Sequence, residues 1–282
     1  NMSIVLRQMG GVSEERQLVL QNPSVRILEQ GFNYMDTLID EFRDSDHRME
    51  LVFYYSGHSS GEGILLNRDV FHYDALKDRI EALAADVKIV ILDACYSGSY
   101  IRQKGGDIKP PFLWGLPSEI EGSAVLTSSM AGETSQESDR IQSSFFTHAL
   151  VSGLRGGADI NSDGLVSLNE IYDFTFNRTI VSTEQAEGGV QHPGYQLNLT
   201  GQGNFVLTDI RSTNANVVLL ESLSGRITVK DLLDRLIVEV AKPAGRVLEI
   251  GLEPGSYEVS STDDSGLRSA QVMLRNNETV IL

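Results

Sequence analysis

The chain has 282 residues, 41% of them hydrophobic and 22% charged, which provides for one substantial core or two smaller ones. A formal charge of −16 excludes a sequence-independent grip on nucleic acid, which needs clustered Lys and Arg. No apolar stretch is long enough for a membrane-spanning helix. The single cysteine permits no internal disulfide, so cysteine usage says nothing of compartment.

In chain order, "SVRILEQGFNYMDTLIDEF" sets Val25, Leu28, Phe32, Met35, Leu38, Ile39 and Phe42 along one helical face, with Ser24 as its N-cap. "MELVFYY", Met49 to Tyr55, is continuously apolar, as in a parallel strand buried on both faces. "ILLNRDVFHY" reads as a small hairpin, and Leu76, Ile80 and Leu83 as the stripe of a helix. "VKIVIL", Val87 to Leu92, and "GSAVLTSS", Gly122 to Ser129, read as two more buried strands, with "SFFTHALVSGL" a helix behind them. "LNLTGQGNFVL" offers a last strand. Strands alternating with helices predict an α/β sheet. After about Asp209 the pattern changes to short strands separated by Gly, Pro, Asp and Asn turns, which predicts a compact all-β, sandwich-like module. The expected domains are therefore residues 1–208 and 209–282.

Two of the buried strands end in reactive residues. "LVFYYSGH" ends in His58 and "VKIVILDAC" in Cys95. Ligands and reacting groups in an open parallel sheet gather at the carboxyl ends of the strands, so adjacent strands bring both residues to one edge. Gly and Ser follow each, allowing tight turns with free backbone N–H groups. A thiol nucleophile, an imidazole to move protons and N–H donors for an oxyanion make a set suited to acyl transfer. The bland reading is a small core cysteine and an ordinary turn. His47, His72, His148 and His192 have no comparable setting.

"FYYSGH" followed by "ILDACYSG" resembles the His and Cys motifs of the caspase-like cysteine peptidases, especially their bacterial and metacaspase-type members. The resemblance runs on through "TSSMAGETSQESD", "SFFTHALVSGLRG" and "QHPGYQLNLTGQGNFVLTD" in the same order, over about residues 1–208. It implies His58 as acid–base residue, Cys95 as nucleophile, and the backbone N–H groups of Cys95 and Ser59 as oxyanion donors. Many relatives carry Gly where Ser59 stands. Asp93 stands where metacaspases hold a carboxylate that binds an Arg or Lys before the cut, whereas eukaryotic caspases have Gln there. Glu133 falls near a second acidic position, and Ser128 and Ser129 are expected to line the pocket. The resemblance further implies a central first strand that the sequence given does not contain, whether disordered, cleaved off or on another chain, with any export signal lost alongside it. Compartment is left open. The implied partners are protein or peptide substrates, with no nucleic acid and no membrane span; a ligand or partner on the β module is a further expectation.

"DINSDGLVSLNE" matches the EF-hand loop pattern D-x-[DN]-x-[DN]-G-x5-E. Asp159, Asn161 and Asp163 would supply side-chain oxygens, Leu165 a carbonyl and Glu170 a bidentate carboxylate, with Gly164 at the sharp turn. The alternative is a tight "NSDG" turn with Glu170 as a helix-start carboxylate. The expected chemistry requires no cofactor, and calcium is the one ion the sequence suggests. The rival functions are a catalytically silent scaffold with this fold and a calcium-responsive structural protein.

Overall fold

The structure, a computed structural model, describes all residues except 44–46, 103–119, 185, 187 and 202–203. The first elements are α1 (Met2–Met9), α2 (Val25–Phe42), β1 (Glu50–Ser56), β2 (Gly63–Leu66), β3 (Asp69–His72), α3 (Tyr73–Ala82), β4 (Val87–Asp93), α4 (Gly98–Arg102) and β5 (Glu121–Thr127). Then come β6 (Glu137–Ser138), β7 (Ser143–Ser144), α5 (Phe145–Ser152), β8 (Leu165–Ser167), α6 (Leu168–Thr183), β9 (Gly194–Thr200) and β10 (Val206–Asp209). The C-terminal strands are β11 (Ala215–Leu219), β12 (Gly225–Asp231), β13 (Leu236–Lys242), β14 (Leu248–Leu252), β15 (Gly255–Asp263), β16 (Gly266–Leu274) and β17 (Glu278–Ile281).

Two compact units divide the chain. Residues Leu18–Gln136 and Ser182–Gly203 make one, which holds a sheet of order β1-β4-β5-β9. β1, β4 and β5 are parallel, and β9 closes the sheet antiparallel to β5. Burial explains the apolar run of β4, whose Val87, Ile89, Val90, Ile91 and Leu92 are all buried. The burial on both faces expected of Met49–Tyr55 does not hold: β1 stands at the edge of this sheet, and within it only Leu51 is buried, Val52 to Tyr55 being half-buried. Phe32 and Leu28 of α2 and Leu76 and Ile80 of α3 complete that core. Ser24 caps α2, its hydroxyl accepting the Ile27 N–H at 3.4 Å. The expected last strand is two. β9 joins this sheet, while β10 pairs with β8 elsewhere; residues 202–203 between them lie outside the described residues.

The other unit combines Asn1–Gln17, Glu137–Val181 and Asn204–Leu282. Its C-terminal strands form sheets of order β14-β11-β17 and β13-β12-β15-β16. Val217, Leu219, Ile250 and Leu252 of the first sheet and Ile227, Val229, Val238, Val240 and Val259 of the second form one core, the alternation expected of a sandwich. Spatially this sandwich groups with α1, α5 and most of α6. Arg155, buried after α5, donates to the Gly251 carbonyl at 2.9 Å, and Ser152 Oγ accepts the Glu239 N–H at 3.1 Å. Sequence composition marks where strand periodicity starts; it does not register such packing. No helix among the described residues is long and apolar enough to cross a membrane.

Candidate active site

The pairing of β1 with β4 aligns Ser56 with Asp93, and the Gly57 N–H extends the ladder to the Asp93 carbonyl at 3.1 Å. His58 and Cys95 follow that pair at equal remove, on adjacent parallel strands. The Ser59 hydroxyl donates to the Cys95 carbonyl, which joins the two strand-end turns. The His58 carbonyl is held by the Leu65 N–H at 2.8 Å and the Tyr55 hydroxyl at 2.6 Å. Among the described residues, neither the Ser59 nor the Cys95 N–H donates to a protein acceptor.

The turn after Cys95 is tight. Tyr96 has φ +56°, a left-handed conformation uncommon for a bulky residue, and its N–H donates to the Glu133 carbonyl at 2.8 Å. Gly98 is needed there because a Cβ would lie 2.4 Å from the Ala131 nitrogen. Ser128 and Ser129 are fully buried. Ser128 Oγ accepts the Ala94 N–H at 3.0 Å, and Ser129 Oγ donates to the Ala94 carbonyl at 3.2 Å. Their hydroxyls therefore hold the peptide ahead of Cys95 rather than opening toward solvent.

Asp93 is 3% exposed. Its Oδ1 accepts from Ser135 Oγ at 3.0 Å and its Oδ2 from Ser56 Oγ at 3.4 Å. The Cys95 thiol points at the carbonyl of the same Ser135, 3.9 Å away. Carboxylate and thiol thus flank one residue. Gln191, also buried, braces it: Nε2 donates to the Ser128 carbonyl at 2.6 Å and approaches Ser135 Oγ at 3.5 Å, while Oε1 accepts the Gln136 N–H at 2.9 Å. Glu133 is occupied within its own neighbourhood. It accepts the His192 N–H at 3.0 Å, faces His192 Nδ1 at 2.9 Å and accepts the Met130 N–H at 3.4 Å. Tyr73, buried near this edge, has its phenol pushed up by burial first, with Ser59 lowering it and Cys95 adding to the rise.

Ser135, Gln191, His192 and Tyr73 are not singled out by sequence reasoning. No periodicity marks them, because each reaches the edge through a long-range contact. The only sequence signal of Ser135, Gln191 and His192 is membership of the polar segments "TSSMAGETSQESD" and "QHPGYQ", while Tyr73 merely ends the hairpin stretch "ILLNRDVFHY".

A family profile described as "Caspase domain" matches residues 6–202. The chain belongs to the caspase-domain peptidases. This caspase-domain chain is accordingly a cysteine peptidase, a hydrolase acting on proteins. Among solved structures it is similar to caspase-1 from Spodoptera frugiperda, at 17% identity and a TM-score of 0.43, covering 69% of this chain and 74% of that one. No curated protein matches it.

The acidic loop of this caspase-domain peptidase lies in the other unit. Gly164, at φ +80°, makes the sharp turn. Asp159 accepts from the Asp163 and Gly164 N–H groups at 3.2 and 3.0 Å, Asn161 from the Asp163 N–H at 2.9 Å, and Asp163 from the Leu165 N–H at 2.8 Å. Leu165 itself lies in β8, paired with Asp209. Glu170 and Ser167 form a capping box at the start of α6: Glu170 Oε2 accepts the Ser167 N–H at 3.0 Å, and Ser167 Oγ accepts the Glu170 N–H at 3.4 Å. Burial raises the Asp159 carboxyl, and the charges of Asp163 and Glu170 add to that rise against its two backbone hydrogen bonds. Among the described residues no group of three or more His, Cys, Asp or Glu is gathered closely enough to hold a metal ion. In this arrangement the carboxylates of the loop accept from N–H groups of the loop and of the start of α6, and no step of the chemistry is routed through a metal.

Proposed function

We propose that this cysteine peptidase cuts peptide chains after basic residues, Arg over Lys, with Cys95 as nucleophile and His58 as its acid–base partner. The Cys95 sulfur attacks the scissile carbonyl carbon while His58 takes the thiol proton. The tetrahedral oxyanion is held by the N–H groups of Ser59 and Cys95. On collapse the C–N bond breaks, His58 gives its proton to the leaving amine, and a thioester remains. Water, deprotonated by His58, then hydrolyses the thioester and restores the thiol. No cofactor enters.

The observation that carries the specificity is Ser135, whose hydroxyl reaches Asp93 and whose carbonyl faces the Cys95 thiol. A buried carboxylate so close to the nucleophile suits a guanidinium on the residue before the cut, through charge-assisted and often bidentate hydrogen bonds. The two N–H groups without protein acceptors support the oxyanion assignment. Glu133 is a weaker candidate for the pocket, since His192 and Met130 already use its carboxylate.

The test compares fluorogenic substrates carrying Arg, Lys or Asp before the cut on wild type and Asp93→Ala. Arg above Lys, negligible Asp and loss of the basic preference in the variant are expected. Preference for Asp, or unchanged Arg selectivity in Asp93→Ala, overturns the reading.

A further inference from the structure

Arg140, Arg178 and Arg226 converge on a single carboxylate. Arg140 lies in the turn between β6 and β7, Arg178 on α6, Arg226 on β12, and the shared partner Glu239 on β13. Arg178 Nη2 is 2.8 Å from Glu239 Oε1; Arg226 Nη2 is 2.8 Å from Oε2, and Arg140 Nη2 is 3.7 Å from that same oxygen. The Glu239 side chain is 8% exposed, while those of Arg226 and Arg140 are 48% and 60% exposed. The anion is at the bottom and the cations face water.

Three guanidiniums against one carboxylate leave an excess of two positive charges. Among the described residues these arginines have no other ion-pair partner. Arg140 and Arg226 approach one oxygen, so their like charges lie close together and repel. Each guanidinium carries five N–H donors, more than Glu239 can accept. The field of the group reaches His148, whose pKa is held down to about 4 by burial first and, against the pull of Glu239, by Arg178, Arg140 and Arg226. Such a cationic face stands out in a chain whose formal charge is −16.

We infer that Arg140, Arg226 and Arg178 form a binding site for a doubly charged oxyanion of the phosphate class, free or carried on a phosphorylated side chain. Such an anion neutralises the excess and takes the fork of N–H donors that Arg140 and Arg226 present to solvent. The site is independent of the peptidase reading, since none of its residues belongs to the strand edge at Cys95.

Calorimetric titration of the full chain with inorganic phosphate, at ionic strength fixed with chloride, is expected to show one saturable site. Arg140→Gln combined with Arg226→Gln should weaken it at least about tenfold. Arg235→Gln, which removes another exposed arginine of the same β module, should leave it unchanged. Arg140→Gln alone, at the most exposed of the three, keeps the test usable if the double variant does not fold, and should itself weaken binding measurably. A phosphoserine peptide that binds more tightly than inorganic phosphate assigns the anion to a phosphorylated chain, and equal or weaker binding assigns it to the free ion. No saturable phosphate binding, or equal binding by wild type and the Arg140→Gln protein, overturns the inference.

Discussion

The strand edge at Asp93–Cys95 and the loop at Asp159–Glu170 are both acidic and both match short motifs, yet their polar atoms go to different places. In the loop, Asp159, Asn161 and Asp163 accept from N–H groups within the loop, and Glu170 closes a capping box with Ser167. At the strand edge, Asp93 is reached by Ser56 and Ser135 from other segments, and Cys95 faces Ser135 from across the fold. A contiguous motif can satisfy itself locally and end as a turn. A motif at the end of a buried parallel strand is completed only by tertiary neighbours, and that is where a reactive constellation can be assembled.

The largest effect that sharpens this contrast is expected at the nucleophile. Cys95→Ala, and separately His58→Ala, should lower peptide hydrolysis at least about 10³-fold with the melting transition preserved. Turnover near the wild-type rate in either purified variant removes the strand edge from the chemistry. Next comes Asp93→Ala, which should cost Arg-directed catalysis on the order of 2–5 kcal/mol, read as the ratio of kcat/KM for Arg substrates. A smaller, purely structural effect belongs to Gly98. A methyl group there meets the Ala131 nitrogen at 2.4 Å, so Gly98→Ala should destabilise the site-bearing unit by about 1–3 kcal/mol in urea unfolding.

How far these features were legible depends on the range over which they are built. The β4 strand, the α2 helix with its Ser24 cap and the alternating strands of the C-terminal module follow from local periodicity, because burial on one or both faces is written into neighbouring residues. The meeting of His58 with Cys95 at one edge follows once both runs are read as adjacent parallel strands. Ser135 and Gln191 were not legible: a serine in a polar loop looks the same whether its hydroxyl meets water or Asp93. Ser128 and Ser129, expected on a pocket wall, are fully buried against the Ala94 peptide, a distinction that only packing reveals. The grouping of the β-sandwich with α1 and α5 is likewise invisible along the chain.

The loop supplies the two smallest effects. Glu170→Ala should cost about 0.5–2 kcal/mol of stability through loss of the capping box, read by thermal melting. Calcium must draw Glu170 from Ser167 to gain a bidentate ligand. Titration calorimetry should therefore find weak binding, in the millimolar range or beyond, of the kind seen in the weakest extracellular modules. Tight binding at micromolar calcium would break the contrast between the loop and the strand edge.

The central claim is that Cys95 and Asp93 act together on a basic side chain, and covalent capture reads both at once. The full chain would be incubated with matched peptidyl acyloxymethyl ketones ending in Arg or Asp, followed by intact-mass measurement and peptide mapping. The account predicts one adduct on Cys95 with the Arg probe, little with the Asp probe, and loss of the Arg preference in Asp93→Ala. Labelling by the Asp probe in preference to Arg, or an Arg adduct that forms equally well without Asp93, would contradict it.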